Sequence, residues 1–170
     1  MLIAKEPNGA NHDANGFYSF VKEWNETEPK YPFARRIGDW AYGFLNDFPS
    51  HDFIGNHKYQ ALRSIAFMNV KKSSGTGNVS DDVIITVANS DKEFILKEIG
   101  IISPDVIICC LGFSGRIINA IFGDTLLRPS GCGIQIGQWQ NSKLIEFCHP
   151  SVRSGGPAFY VLLREAIKSI

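Results

Sequence analysis

No apolar run in this 170-residue chain approaches the roughly 18 residues that a bilayer-crossing helix needs. A membrane protein is therefore not expected. Net charge is missing too, because 17 Lys and Arg balance 17 Asp and Glu. That removes the global field of a strongly basic nucleic-acid binder and leaves the task, if it exists, to a local patch. Cysteine is scarce: the four residues, at 109, 110, 132 and 148, form neither a C-x-x-C pair nor a Cys/His ligand spacing. No metal site of the zinc-finger kind follows from them, and three lie in or beside apolar runs, as buried reduced thiols do. The opening "MLIAKEPNG" meets Lys5 and Glu6 too early for a secretory leader, so a cytoplasmic protein is expected. Neither an internal repeat nor a low-complexity linker interrupts the chain. Its length suits one domain over 1–170.

What is present is a set of short, continuous apolar runs bounded by turn residues. "LIAK" at 2–5, "SIAFMNV" at 64–70, "DVIICCLG" at 105–112 and "KLIEFC" at 143–148 read as strands buried on both faces. Helical spacing fills the intervals. Phe17, Phe20, Val21 and Trp24 form one apolar face, and Ile37, Trp40, Ala41, Phe44, Leu45 and Phe48 a second. Ile117, Ile118 and Ile121 mark a short helix, and Phe159, Leu162, Leu163, Ala166, Ile167 and Ile170 line the last one. Residues 81–98 have strand propensity in "DVIITVA", but the β–α alternation needs a crossover there, and helix is the reading adopted. "GCGIQIGQW" at 131–139 looks like a strand running into a turn at Gln140-Asn141. These elements predict a three-layer α/β/α domain around a mostly parallel four-stranded sheet.

Ligands of such sheets gather beyond the carboxyl ends of the strands. After the first strand comes Glu6, before Pro7; at the end of the second stands Asn69, followed by Lys71, Lys72 and "SSGTG"; after the last come His149, Ser151, Arg153 and Ser154. Each has an ordinary explanation alone: a solvated turn acid, a turn amide, a hydrogen-bonded histidine, a helix cap, a solvated lysine pair. A carboxylate, a carboxamide and an imidazole on one rim say more than any one of them.

The quoted stretches "AKEPNG", "FMNVKK", "SPDVIICCLG" and "HPSVRSG" resemble, in order and spacing, the signature segments of the uracil-DNA glycosylase superfamily over nearly the whole chain. The resemblance implies a uracil-DNA glycosylase-like fold. It places Glu6 at the position that orients water or stabilises the sugar cation, and Asn69 where the flipped base is hydrogen-bonded. His149 takes the position that contacts the departing base. Pro150, Ser151, Arg153, Ser154 and Gly155 match the loop that pinches the DNA backbone and wedges a side chain into the duplex. The aromatic that stacks on the base would be Phe17 or Tyr18, with Phe33 a further candidate. Ala4 stands where glycine is frequent, Lys5 replaces the usual residue, and Arg153 stands where several members carry an apolar wedge. The iron–sulphur cysteines of some branches are absent.

The chemistry suits these residue types. Breaking an N-glycosidic bond leaves positive charge on the sugar and negative charge on the base, which a carboxylate and hydrogen-bond donors stabilise respectively. Asn69 offers both a donor and an acceptor to a base edge. A histidine can donate in either protonation state, and the sequence does not choose. Flipping a base out of the stack costs a few kcal/mol, which contacts to phosphate from Lys71, Lys72, Ser151, Ser154 and Gly155 would offset. The expected protein is a monomeric, monofunctional glycosylase acting on uracil or a modified pyrimidine in DNA, without metal or cofactor. Alternatives are excision of a hypermodified phage base, or a silent DNA-binding module of the same fold.

Overall fold

The computed structural model describes residues 1–7, 20–73, 75, 78–124, 127–153 and 155–170. Among them lie six strands and seven helices, so the chain is an α/β protein. The strands are β1 (Leu2–Ala4), β2 (Phe67–Asn69), β3 (Val106–Cys109), β4 (Arg128–Pro129), β5 (Gln135–Trp139) and β6 (Ser142–Glu146). The helices are α1 (Phe20–Glu26), α2 (Pro32–Leu45), α3 (His57–Arg63), α4 (Asp81–Ser90), α5 (Lys92–Ile102), α6 (Gly115–Phe122) and α7 (Gly156–Ile167). Its contacts separate two compact units: Met1–Ala10 with Ala66–His149 and Ser169–Ile170, and Asn11–Ile65 with Pro150–Lys168.

The first unit holds one sheet of strand order β2-β1-β3-β6-β5-β4. The four expected strands are there and are mutually parallel, with Ala4 opposite Asn69, Ile3 opposite Cys109, and Cys109 opposite Glu146. The expectation of a four-stranded sheet is corrected, because the sheet has six strands and is mixed. The segment at 131–139 supplies β5, antiparallel to β6. A connection of only Gln140 and Asn141 permits nothing else, since parallel neighbours need a long crossover. Gln140 takes a left-handed φ of 50°, as such a turn requires. β4 then pairs antiparallel with β5. The 81–98 crossover is indeed helical, but it is two helices broken at Asp91 rather than one.

Ile3, Met68, Ile107, Cys109 and Leu144 form one core with Ile84 and Ala88 of α4, Ile95 and Ile99 of α5, and Ile117, Ile118 and Ile121 of α6. Each isoleucine contributes about 1.5–3 kcal/mol of transfer free energy when fully buried. The alternate residues Leu2, Ala4, Ile108 and Ile145 are buried as well. Burial of both faces is why the strands read as continuous apolar runs rather than as an alternation. Cys109, Cys110 and Cys148 are buried, and burial pushes the Cys109 thiol up to about 12.

The second unit is helical. Ile37, Trp40 and Ala41 of α2 are buried as expected, while Phe44 and Leu45 remain exposed. Helix α2 ends at Leu45, and Phe48 returns through two left-handed residues, Asp47 and Phe48. Its ring then packs 5.2 Å from that of Tyr160, whose hydroxyl donates to the Pro49 carbonyl at 2.9 Å. Gly43 allows this approach, because a Cβ there would sit 2.5 Å from the Tyr160 ring and 2.7 Å from Phe48. On α7 the buried stripe is Tyr160, Leu163 and Ala166, rotated from the expected face; Leu163 and Ala166 belong to both. Among the described residues no helix is long and apolar enough to cross a membrane.

Candidate active site at the carboxyl ends of the parallel strands

Parallel pairing of β1, β2, β3 and β6 brings their carboxyl ends to one edge of the sheet. The β1–β2 ladder runs past the strands: Val70 N–H donates to Ala4 and Lys71 N–H to Lys5, both at 2.9 Å. Gly75 N–H donates to the Pro7 carbonyl at 3.0 Å. Glu6 is thus enclosed between two strand extensions. Its side chain is only 4 % exposed, and Lys71 Nζ donates to Oε2 at 2.9 Å. The same ammonium donates to the Ser73 carbonyl. A Cβ on Gly75 would overlap the Glu6 carboxyl group, so only glycine fits against it. The other oxygen, Glu6 Oε1, is buried and has no hydrogen-bond partner among the described residues.

Asn69 repeats that pattern. It is 7 % exposed, and its Oδ1 is buried without a donor among the described residues. Met68 and Val70 face the core shared with α4–α6, so strand alternation turns Asn69 to the opposite face. Ile3 belongs to the same core, and alternation carries Glu6 to the face of Asn69. Two buried acceptors lacking donors among the described residues therefore stand on neighbouring strand ends. Each such atom forfeits on the order of 1–3 kcal/mol unless something donates to it.

His149 follows β6 at the same edge and is half-buried. Burial, with the nearby Lys5 cation second, lowers its pKa from 6.5 to about 4. Its imidazole is neutral through the physiological range. Lys5 itself points to the α4 side, donating to Asp81 Oδ1 at 2.6 Å. Asp81 is held below its ordinary value by hydrogen bonds from Lys5 and from Ser114.

The remaining expected residues divide between the two units. Lys72 pairs with Glu98 at 2.6 Å on the surface, a contact worth little. Within the helical unit, Ser151 and Arg153 are exposed, and Gly155 is the N-cap of α7 with φ 79°. There Arg36 donates to the carbonyls of Pro150, at 3.0 Å, and Val152. Phe33 is half-buried on α2. Phe17, Tyr18 and Ser154 lie outside the described residues. Among the described residues no group of three His, Cys, Asp or Glu side chains is placed to hold a metal ion.

Several participants carried no sequence signal of their own. Gly75 looked like one glycine of a flexible tract, whereas it closes against Glu6. Asp81 lies in the first turn of α4, and its pairing with Lys5 spans 76 positions. Glu146, at the end of β6, is 6 % exposed, and burial raises its pKa. No family model and no curated protein matches this chain.

The Glu6–Lys71 pair leads to a stability prediction. Lys71→Met leaves a buried carboxylate without its cation and is expected to lower the unfolding free energy by about 3–5 kcal/mol. Urea denaturation at pH 7 reads this, and adding Glu6→Gln is expected to recover most of the loss. A Lys71→Met protein as stable as the wild type would refute the pairing.

Proposed function

We propose that this chain is a monofunctional DNA glycosylase with a three-layer uracil-DNA glycosylase-like fold, hydrolysing the N-glycosidic bond of a flipped uracil or modified pyrimidine and leaving an abasic site. The observation that carries this reading is the pair of buried acceptors, Glu6 Oε1 and Asn69 Oδ1, without donors among the described residues, at one strand edge with the neutral imidazole of His149.

Each group fits one part of the reaction. A water molecule donating to Glu6 Oε1 is oriented for attack on the anomeric carbon, and the carboxylate stabilises the positive charge that develops on the sugar. Asn69 Oδ1 accepts a hydrogen bond from a ring N–H, which the imide edge of uracil provides. His149, neutral and half-buried, donates to the departing base as negative charge grows on its oxygen. A neutral donor in a partly dehydrated site stabilises that charge without first being deprotonated. The proton balance closes: water supplies the hydroxyl group left on the sugar, and its proton goes by way of Glu6 to the released base.

Oligonucleotides carrying uracil, hypoxanthine and modified cytosines, single- and double-stranded, test the reading. The expected result is a free pyrimidine base identified by mass spectrometry, with strand cleavage appearing only after alkali. Salt-sensitive binding of every oligonucleotide with no base released would leave a silent DNA-binding module instead.

A further inference from the structure

The strand order β2-β1-β3-β6 sets a sequence of groups along the edge: Asn69 after β2, Glu6 after β1, the Gly112–Ser114 turn after β3, and His149 after β6. In that order the turn that carries Phe113 falls between the segment bearing the acid and the segment bearing the imidazole. Its backbone is left-handed, with φ 59°, and follows Gly112 at φ 77°. Bulky residues seldom occupy this region, and glycine would do so at less cost. The conformation is held by both amides, as Gly112 N–H and Phe113 N–H donate to the Phe147 carbonyl at 3.2 and 3.4 Å. Ser114, 7 % exposed, anchors the other side through its hydroxyl on Asp81.

Phe48 shows what normally offsets such strain. It too is left-handed, at φ 49°, but its ring is 7 % exposed and packed against Tyr160. Phe113 is less enclosed: the residue is 48 % exposed, and its ring meets that of Phe147 edge-on at 6.2 Å. Backbone strain of this kind clusters at binding sites, and here it presents an aromatic to solvent at the carboxyl edge of the parallel strands.

We propose that Phe113 is a stacking surface for a nucleobase of the bound strand, adjacent to the base that is released. The reasoning rests on the glycosylase reading above and names a further binding residue for it. A flipped base is enclosed in its pocket, whereas a half-exposed ring on the rim meets a base that stays at the surface. Stacking of this kind tolerates any base, since every base has a π face, and it favours single-stranded or locally opened DNA.

The test compares wild type, Phe113→Gly and Phe113→Trp. The probe is a fluorescein-labelled single strand carrying 2′-fluoro-2′-deoxyuridine, whose electron-withdrawing fluorine opposes formation of the sugar cation. Phe113→Gly is expected to bind this strand about 10- to 100-fold more weakly, the range for loss of one base–aromatic stack. Its melting temperature should equal or exceed that of the wild type, because glycine relieves the backbone. Phe113→Trp is expected to restore affinity. Wild-type affinity in Phe113→Gly, in a protein that does release uracil, overturns the stacking role alone. A melting temperature that falls in step with affinity does the same, by making the ring structural. A wild type that neither binds the probe nor releases any base overturns the glycosylase reading and the stacking role together.

Discussion

Glu6→Gln is expected to slow base release about 1,000-fold while leaving binding of uncleaved DNA within a few-fold, in line with the loss of a positioned acid–base group. Glutamine keeps the shape of the side chain between the strand extensions and its fit against Gly75. It loses the negative charge that the proposed mechanism uses to stabilise the sugar cation, and its amide nitrogen cannot accept a hydrogen bond from water. Lys71, 18 % exposed, loses its partner but can turn to solvent, so the fold survives. Single-turnover release from a uracil-containing single strand isolates the chemical step. Glu6→Ala is expected to be as slow and also less stable, because it opens a void beside Gly75. A Glu6→Gln enzyme with wild-type single-turnover rates would remove the carboxylate from the mechanism.

His149→Ala is expected to lower the same rate about 100- to 1,000-fold, the usual loss when one donor to a developing anion is removed. The pH dependence is the more specific signature. With its pKa down at about 4, His149 stays neutral from pH 8 to pH 5, and the wild-type rate should show no inflection near 6.5. A rate that fell with an apparent pKa near 6.5 would mean a solvated histidine and a different role. Stability responds as well. Between 6.5 and about 4 the unfolded chain takes up a proton at this residue that the folded chain refuses. Stability from this group is therefore complete above 6.5 and declines as the pH falls through the window, by roughly 3 kcal/mol at most. Urea titrations at pH 7 and pH 4.5 should show a smaller acid loss in His149→Ala than in the wild type.

Much of the frame was readable because it is local. "LIA", "FMN", "VIIC" and "KLIE" are short apolar runs ended by turn residues, and the sheet places them as parallel neighbours. Once parallel order is assumed, Glu6, Asn69 and His149 must share an edge, whatever the side chains do there. The helix over 81–98 also followed, because parallel strands need a crossover. The break at Asp91 did not, since both halves carry the same kind of apolar spacing. Two strands of the sheet were miscounted for a related reason. β4 is two residues long, and β5 belongs to the sheet only through its pairing with β6.

Composition and periodicity thus determined the α/β class, the parallel centre and the chemical types that end its strands. Only the tertiary structure decided which of those groups are buried, paired or strained. The donor missing from Glu6 Oε1, the glycine pressed on that carboxylate, the Lys5–Asp81 bond and the exposed left-handed Phe113 all depend on segments far apart in the chain. The physical reason is range: backbone preference and hydrophobic period act over a few residues, whereas desolvation and hydrogen-bond satisfaction depend on what the finished fold places alongside.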